Sequence, residues 1–265
     1  MLSLLSFLLF AAAMAQVPAG PGADVAKAPP AQSLPAPPPW PATRDLPYHL
    51  ERLRASEREL RWRFGAEGLG ILEKLNRADA PHLGRLETLV VPDPPLVGDE
   101  LRYSPLPPLW AWAGSFPKAL VVDQPSQVFG AYECGRLVRW GPVSSGRRQR
   151  PTPAGLFHLN WRMRGRRSTE NPDWYMTWYF NFDNARGLAV HQLELPGHPA
   201  SHACVRLLER DARWIYGWGA GWTLDAERRS VVALGTPVLV VGAYDFGAPP
   251  AWRSLAWLAE GVRLP

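Results

Sequence analysis

Apolar residues alternate with polar or small residues through much of the second half of the chain. A repeat of two residues places alternate side chains on opposite faces, which is typical of β-strands. Turn residues separate the alternating stretches, and short antiparallel strands are therefore predicted. The predicted strands are residues 119–123, 127–132, 136–140, 155–161, 178–182, 187–191 and, as one or two strands, 231–241. Residues 118–243 are accordingly predicted to form a mainly β domain.

A helical repeat of apolar residues occurs in two regions. Glu209 to Trp218 has helical spacing and is followed by glycines, which predicts the single helix of the β domain. Tyr48 to Phe64 also has helical spacing, and Gly70 to Arg77 predicts a further short helix. With the strand-like Leu89 to Pro92, these patterns predict a small helical or α/β unit over residues 48–94.

Proline-rich segments separate the predicted units. Residues 16–47 are mostly Pro, Ala and Gly and have too few bulky side chains to offset chain entropy by burial, which predicts a linker. Residues 95–117 are predicted to be a second, Pro-rich connector, and residues 244–265 a C-terminal tail with a short helix.

Residues 1–15 have the pattern of a signal peptide. A run of Leu, Phe and Ala ends in Ala13-Met14-Ala15, a small-x-small cleavage site. The run is shorter than the roughly 20 residues that span a bilayer. We therefore expect a cleaved signal and a protein that is periplasmic or secreted to the cell wall.

The net charge of +5 and the pI near 9.5 favour an acidic partner such as nucleic acid, anionic lipid or an anionic wall polymer. Nucleic acid is not expected, because the Lys and Arg residues are dispersed and match no nucleic-acid-binding motif. The basic stretches Gly146 to Arg150 and Arg166-Arg167 are predicted to be solvated loops.

The candidate chemistry is concentrated around Cys204. His191, His198 and His202 precede it, and His191 ends a predicted strand. An imidazole close to a thiol can take its proton and so activate it as a nucleophile. The spacing does not fit a common zinc site, and no metal is expected. From these residues alone, a buried and unreactive Cys204 is an equally good interpretation. The second cysteine, Cys134, is predicted to lie in a turn between two strands.

The residues next to Cys204 are candidates for two further roles in the reaction. The N–H groups of Ala203 and Cys204 are candidates to stabilise an oxyanion. Arg206 is a candidate to bind a substrate carboxylate or to orient the loop.

The segment Ser201-His202-Ala203-Cys204-Val205-Arg206-Leu207 resembles the active-site motif of the L,D-transpeptidases of the YkuD type. That family has an upstream His at the end of a strand, here His191, and then Ser-His-Gly-Cys-[Ile/Val]-Arg. This chain departs from the pattern at Ala203, where the family has Gly, and at Gln192, where Gly or Ser is typical. Further matches in the same order are residues 120–123, 143–146, 152–157, 211–216 and 235–240, so that the resemblance covers about residues 118–242.

The resemblance implies a β-sandwich or barrel with one helix after the catalytic cysteine. It implies that Cys204 attacks the amide between a diamino acid and a terminal D-alanine of a peptidoglycan stem. D-Alanine leaves, and an amine resolves the thioester to give a 3→3 cross-link. Water as the acceptor would make the protein an L,D-carboxypeptidase, and a protein amine would make it an anchoring enzyme.

Site residues follow from the resemblance and from the residues themselves. The predicted catalytic residues are Cys204, His191 and His202, and the predicted substrate contacts are Ser201, Arg206, Trp178 and Tyr179. Core packing is an equal alternative for Trp178 and Tyr179. No cofactor, no nucleic acid and no stable protein partner are expected, peptidoglycan is the expected partner, and a monomer is expected. A non-catalytic wall-binding protein is the alternative from another class.

The unit at residues 48–94 has its own weaker resemblance. A helix ending in Leu75-Asn76, a loop and a closing strand at Leu89 to Pro92 resemble the second half of a LysM carbohydrate-binding module. A helical spacer that packs on the catalytic domain is the equal alternative.

Overall fold

The computed structural model describes residues 46–93 and 98–265. The predicted signal peptide at residues 1–15, and all but the end of the predicted linker at residues 16–47, lie outside the described residues. Within the described ranges, no helix is long and apolar enough to cross a membrane.

The chain forms thirteen strands and four α-helices within the described residues. The strands are β1 Tyr48–Glu51, β2 Leu89–Pro92, β3 Lys118–Asp123, β4 Val128–Glu133, β5 Arg136–Ser144, β6 Gly155–His158, β7 Arg162–Arg167, β8 Tyr175–Asp183, β9 Leu188–Gln192, β10 Val205–Leu207, β11 Thr223–Leu224, β12 Val231–Ala233 and β13 Pro237–Val241. The helices are α1 Glu57–Asn76, α2 Ala80–Leu83, α3 Glu209–Trp218 and α4 Leu255–Glu260. The prediction of a mainly β fold is confirmed.

A nine-stranded sheet in the order β6-β13-β3-β4-β5-β10-β9-β8-β7 forms the body of the protein. Seven predicted strands correspond to strands of this sheet, although several boundaries differ. The prediction that all strands are antiparallel is wrong, because β13 pairs in parallel with β3 and β10 pairs in parallel with β9. A parallel pair needs a crossover between its strands, and strand periodicity does not reveal one.

The sheet curls around one apolar core and carries a second core on its outer face. On β3, Leu120 and Val122 point into the curl, whereas Ala119 and Val121 belong to the outer core. The inner core also receives the apolar side of α3, whose predicted bounds are confirmed. Burial on both faces explains why β3 is a continuous apolar run rather than an alternating one.

The N-terminal unit differs from its prediction at the start. Residues 48–51 form strand β1, paired antiparallel with β2, and not the first turn of a helix. Helix α1 begins after Ser56, whose hydroxyl caps the N–H of Glu59 while the Glu59 carboxylate accepts from the Ser56 N–H. Gly65, with φ of 70°, is not helical and kinks α1, and the second helical segment begins before the predicted Gly70.

The N-terminal unit packs tightly on the β domain. The ammonium of Lys74, 1% exposed, donates to the carbonyl of Trp140 at 2.8 Å and lies 2.8 Å from the Glu100 carboxylate. Arg77 is fully buried and donates to the carbonyl of Ser126 at 2.8 Å. Buried charges with such partners hold the two units together.

The described part of the predicted connector is not a loose linker. Tyr103, Leu106, Trp110 and Ala113 are buried in the outer core. Proline here limits regular structure without preventing burial. The C-terminal tail contains the predicted short helix, α4, and its Leu258 enters the same core.

The prediction that Arg166-Arg167 lie in a solvated loop is wrong. They end strand β7, the edge strand beside β8. Arginine-rich sequence is tolerated there because an edge strand faces solvent along one side. This difference places Arg166 beside the functional site described below.

Candidate active site

The parallel pair β9–β10 brings the predicted nucleophile and the predicted base to one place. Val205 is opposite Val190 and Arg206 is opposite His191. Because side chains alternate along a strand, the His191 side chain is on the same face as that of Ala189, and the Cys204 side chain is on the same face as that of Arg206. The loop between the strands therefore returns Cys204 to the level of the His191 strand.

These side chains line a cavity of about 110 Å³. Its walls come from strands β7, β8 and β9, from the β7–β8 loop and from the segment before β10. The lining includes four predicted site residues besides Cys204 and His191, namely Ser201, His202, Arg206 and Tyr179. A cavity of this size accommodates a few water molecules or one small polar group.

The imidazole of His191 is held by the backbone carbonyl of Gln192 and by the aromatic ring of Tyr179. Its Nδ1 lies 3.0 Å from the carbonyl oxygen of Gln192, and the ring stacks at 6.2 Å on Tyr179. An Nδ1–H that donates to this carbonyl leaves Nε2 as the proton acceptor. The Gln192 departure from the family pattern keeps this contact, because the carbonyl belongs to the backbone. Burial lowers the pKa of His191 to about 4, so the ring is neutral at pH 7.

Burial also raises the pKa of the Cys204 thiol. The side chain packs against Met176, Tyr179 and Ala189, an apolar surrounding that disfavours the thiolate. An N–H from Ala189 and the positive charges of Arg166 and Arg206 act in the opposite direction but do not overcome burial. The resting pair is therefore a neutral thiol and a neutral imidazole.

The tight turn before Cys204 is fixed by hydrogen bonds on both sides. The Thr152 hydroxyl accepts from the N–H of Gly146 at 2.8 Å and donates to the carbonyl of Ala203 at 3.0 Å. The Ser201 hydroxyl donates to the carbonyl of Cys204. Ser201 is 1% exposed, so its hydroxyl serves the turn that leads into Cys204.

Ala203 has φ of 77°, in the region that favours glycine. The family pattern has Gly at this position, and the turn here requires the same backbone with a methyl added. The predicted oxyanion role of the Ala203 and Cys204 N–H groups stays a prediction.

Arg206 and His202 occupy the wall of the cavity together with Trp174. Arg206 is 5% exposed and donates to the carbonyl of Glu194 at 3.4 Å, which supports the loop-orienting alternative. The Nδ1 of His202 lies 3.6 Å from the Glu170 carboxylate, and its ring meets the Trp174 ring edge-on at 4.8 Å.

Of the two aromatic residues predicted to contact substrate, only one lines the cavity. Tyr179 lines the cavity and donates its hydroxyl to the carbonyl of Gly187 at 3.0 Å. Trp178 is not among the lining residues; it packs against Tyr216 and under the guanidinium of Arg164. Core packing therefore describes Trp178. His198 also lies outside the lining, with its Nδ1 3.2 Å from the carbonyl of Pro199.

Sequence reasoning missed several residues of the site, among them Arg166, Glu170 and Arg186. Arg166 and Glu170 line the cavity, and Thr152 supports the turn. The pairing of β7 with β8 brings Arg166 close, and only a correct strand assignment for 162–167 could have found it. Within the described ranges, no group of three or more His, Cys, Asp or Glu residues could hold a metal ion.

Residues 117–240 match the family model of the L,D-transpeptidase catalytic domain, YkuD. The resemblance is thereby confirmed over this segment, which contains both Cys204 and His191. No curated protein sequence matches the chain.

Solved structures with detectable similarity include L,D-transpeptidases. One from Stackebrandtia nassauensis is 22% identical, with a TM-score of 0.39 over 49% of this chain and 57% of that one. One from Mycobacterium smegmatis is 20% identical, with a TM-score of 0.38 over 48% and 59%. One from Mycobacterium tuberculosis is 24% identical, with a TM-score of 0.37 over 48% and 58%. The chain thus spans less than two thirds of the length of each.

Proposed function

We propose that this protein is an exported cysteine L,D-transpeptidase that acts on peptidoglycan stem peptides. The observation that carries the proposal is the shared cavity of Cys204 and His191, inside a segment that matches the L,D-transpeptidase domain. Export rests on the pattern of residues 1–15.

The proposed reaction begins with the thiol of Cys204 and the neutral ring of His191. His191 takes the thiol proton while sulfur attacks the carbonyl that precedes the terminal D-alanine. The protonated imidazole then gives its proton to the departing amine, and the stem stays bound as a thioester. The amine of a second stem attacks the thioester and loses a proton to His191, the bond from the carbonyl carbon to the Cys204 sulfur breaks, and His191 returns the proton to the leaving thiolate. The 3→3 cross-linked product departs, and the thiol and the neutral imidazole are restored.

The proposed reaction is tested by incubating the purified protein with sacculi and analysing the muropeptides. New 3→3 cross-linked dimers with release of D-alanine are the expected result. Tripeptide stems without new dimers would indicate water as the acceptor and overturn the transfer step. Binding to sacculi without any change of the muropeptides would favour a non-catalytic wall-binding protein.

Glycan binding by the N-terminal unit is a separate proposal. It is supported by the order of helix α1 ending at Asn76, loop and closing strand β2. The buried contacts of Lys74 and Arg77 give the same unit a structural role. Retention of sacculi by a full-length Cys204→Ala variant, and loss of retention after charge reversal on the exposed face of α1, would support glycan binding.

A further inference from the structure

The cavity beside Cys204 is rich in guanidinium groups. Arg166, Arg186 and Arg206 line it, against the single lining carboxylate of Glu170. His191 adds no charge at pH 7, because its pKa is about 4. The excess of positive charge favours an anionic group in the cavity.

Two of the three guanidinium groups already have partners. Arg186 donates through Nε to the Asp183 carboxylate at 2.5 Å. Arg206 donates to the backbone of Glu194, whose carboxylate also raises the Arg206 pKa against the effect of burial. Arg166 has no carboxylate within ion-pair distance in the described part of the chain.

Aromatic rings hold the guanidinium of Arg166 in place. Its central carbon lies 5.3 Å from the ring centre of Tyr179 and 5.5 Å from that of Trp161. These two rings stack on each other at 5.3 Å, and Tyr179 stacks in turn on His191. A guanidinium against ring faces keeps its N–H groups directed outward in a fixed fork, which suits a carboxylate.

Arg166 is also close enough to act on the reacting sulfur. It lies opposite Met176 in the β7–β8 pair, and Met176 packs with Tyr179 beside Cys204. Among the charges that lower the pKa of the Cys204 thiol, Arg166 has the largest effect. A group held by Arg166 is therefore near the carbonyl that Cys204 attacks.

We propose that Arg166 binds a carboxylate of the acyl-donor peptide and so makes the protein selective for donors that carry that carboxylate free. This inference rests on the proposed function. Two groups of a stem supply the same chemistry: a second carboxylate on the diamino acid, and the terminal carboxylate of the departing D-alanine. Amidation of either group removes its charge and most of its capacity to accept a bidentate pair.

The test measures peptide binding calorimetrically in a Cys204→Ala background, so that no turnover interferes. The donors are a tetrapeptide with both carboxylates free, one amidated on the diamino acid and one amidated at its C-terminus. Arg166→Gln is expected to weaken binding of the free-acid donor about 10- to 100-fold, as for the loss of a charge-assisted pair. The same substitution is expected to leave unchanged the affinity for the donor that lacks the carboxylate bound by Arg166. The amidated donor whose affinity does not change therefore identifies which carboxylate Arg166 binds.

Two further variants separate binding from folding and from general charge. Arg166→Lys keeps the charge without the fork and is expected to restore part of the affinity. Arg164→Gln removes a charge from the same strand at a residue that contacts Trp178 outside the cavity, and it is expected to bind like the parent. Equal weakening for free-acid and amidated donors, or none for any donor, would overturn the proposal.

An electrostatic role limited to the thiol gives a different result. In protein with Cys204 intact, Arg166→Gln would slow alkylation of Cys204 while the selectivity of peptide binding stayed as in the parent, and this outcome also overturns the proposal. Selective binding together with no release of D-alanine by the wild type would contradict the proposed function but not the carboxylate site.

Discussion

Asp79 and Leu195 form a two-way hydrogen-bonded pair between the N-terminal unit and the loop that leads to Cys204. The Asp79 carboxylate accepts from the N–H of Leu195 at 2.8 Å, and the Asp79 N–H donates to the carbonyl of Leu195 at 3.0 Å. The neighbouring residues Ala78 and Pro196 form a β-bridge. The N-terminal unit thus holds one end of the loop between His191 and Cys204.

Replacement of Asp79 is expected to loosen this loop. Asp79→Ala leaves the N–H of the buried Leu195 without its acceptor, which costs about 1–3 kcal/mol in the free energy of unfolding. We expect lower kcat/KM for release of D-alanine at temperatures where the variant is still folded. Both carboxylate oxygens of Asp79 accept from backbone N–H groups, those of Leu195 and His82. Asp79→Asn keeps one acceptor but places its NH2 group against the other donor, so it should recover only part of the activity.

Glu87→Ala provides the matched control for Asp79, because Glu87 is an exposed carboxylate of the same unit. Its denaturation midpoint and activity should equal those of the wild type. An Asp79→Ala variant with unchanged stability and activity would show that the pair does not hold the loop.

Replacement of Ala203 by glycine is expected to stabilise the protein. Its φ of 77° strains an L-residue but not glycine, and relief of this strain exceeds the added chain entropy. Ala203→Gly is expected to raise the free energy of unfolding by about 1 kcal/mol, measured in urea. Ala203→Val should lower it, because β-branched residues tolerate positive φ least. A less stable Ala203→Gly would contradict the strain at this turn.

The pH dependence of Cys204 alkylation follows from the two pKa shifts. Burial raises the pKa of the thiol and lowers that of His191 to about 4, so no thiolate–imidazolium pair forms in the resting protein. In a Cys134→Ala background, the rate with iodoacetamide is expected to rise with pH to beyond the ordinary thiol pKa of about 8.5. A plateau already reached near pH 6 would show a preformed ion pair.

The sequence predicts local structure well where apolar periodicity and turn residues agree. Strands such as β3 and helix α3 were found because each has one clear repeat and a clear end. The turn at Cys134 is confirmed, with φ of 46° there and 80° at Gly135. The two residues predicted as nucleophile and base, Cys204 and His191, line one cavity.

What the sequence did not predict depends on pairing between distant residues. The parallel register of β9 and β10 is set by the packing of the whole sheet, not by either strand alone. Strand β7 was missed because its arginines are polar, although pairing with β8 and contacts with rings such as Trp161 stabilise it. The sequence predicts only a connector at residues 95–117, because proline content does not report on the burial of Tyr103 or Trp110.

The most direct test of the account compares the two cysteines. D-Alanine release from a tetrapeptide stem is measured for the wild type, Cys204→Ala and Cys134→Ala. Cys134 is exposed in a turn, whereas Cys204 lines the cavity with His191. Cys204→Ala is expected to abolish release and Cys134→Ala to retain it. Persistent release by folded Cys204→Ala protein would contradict the assignment of the nucleophile.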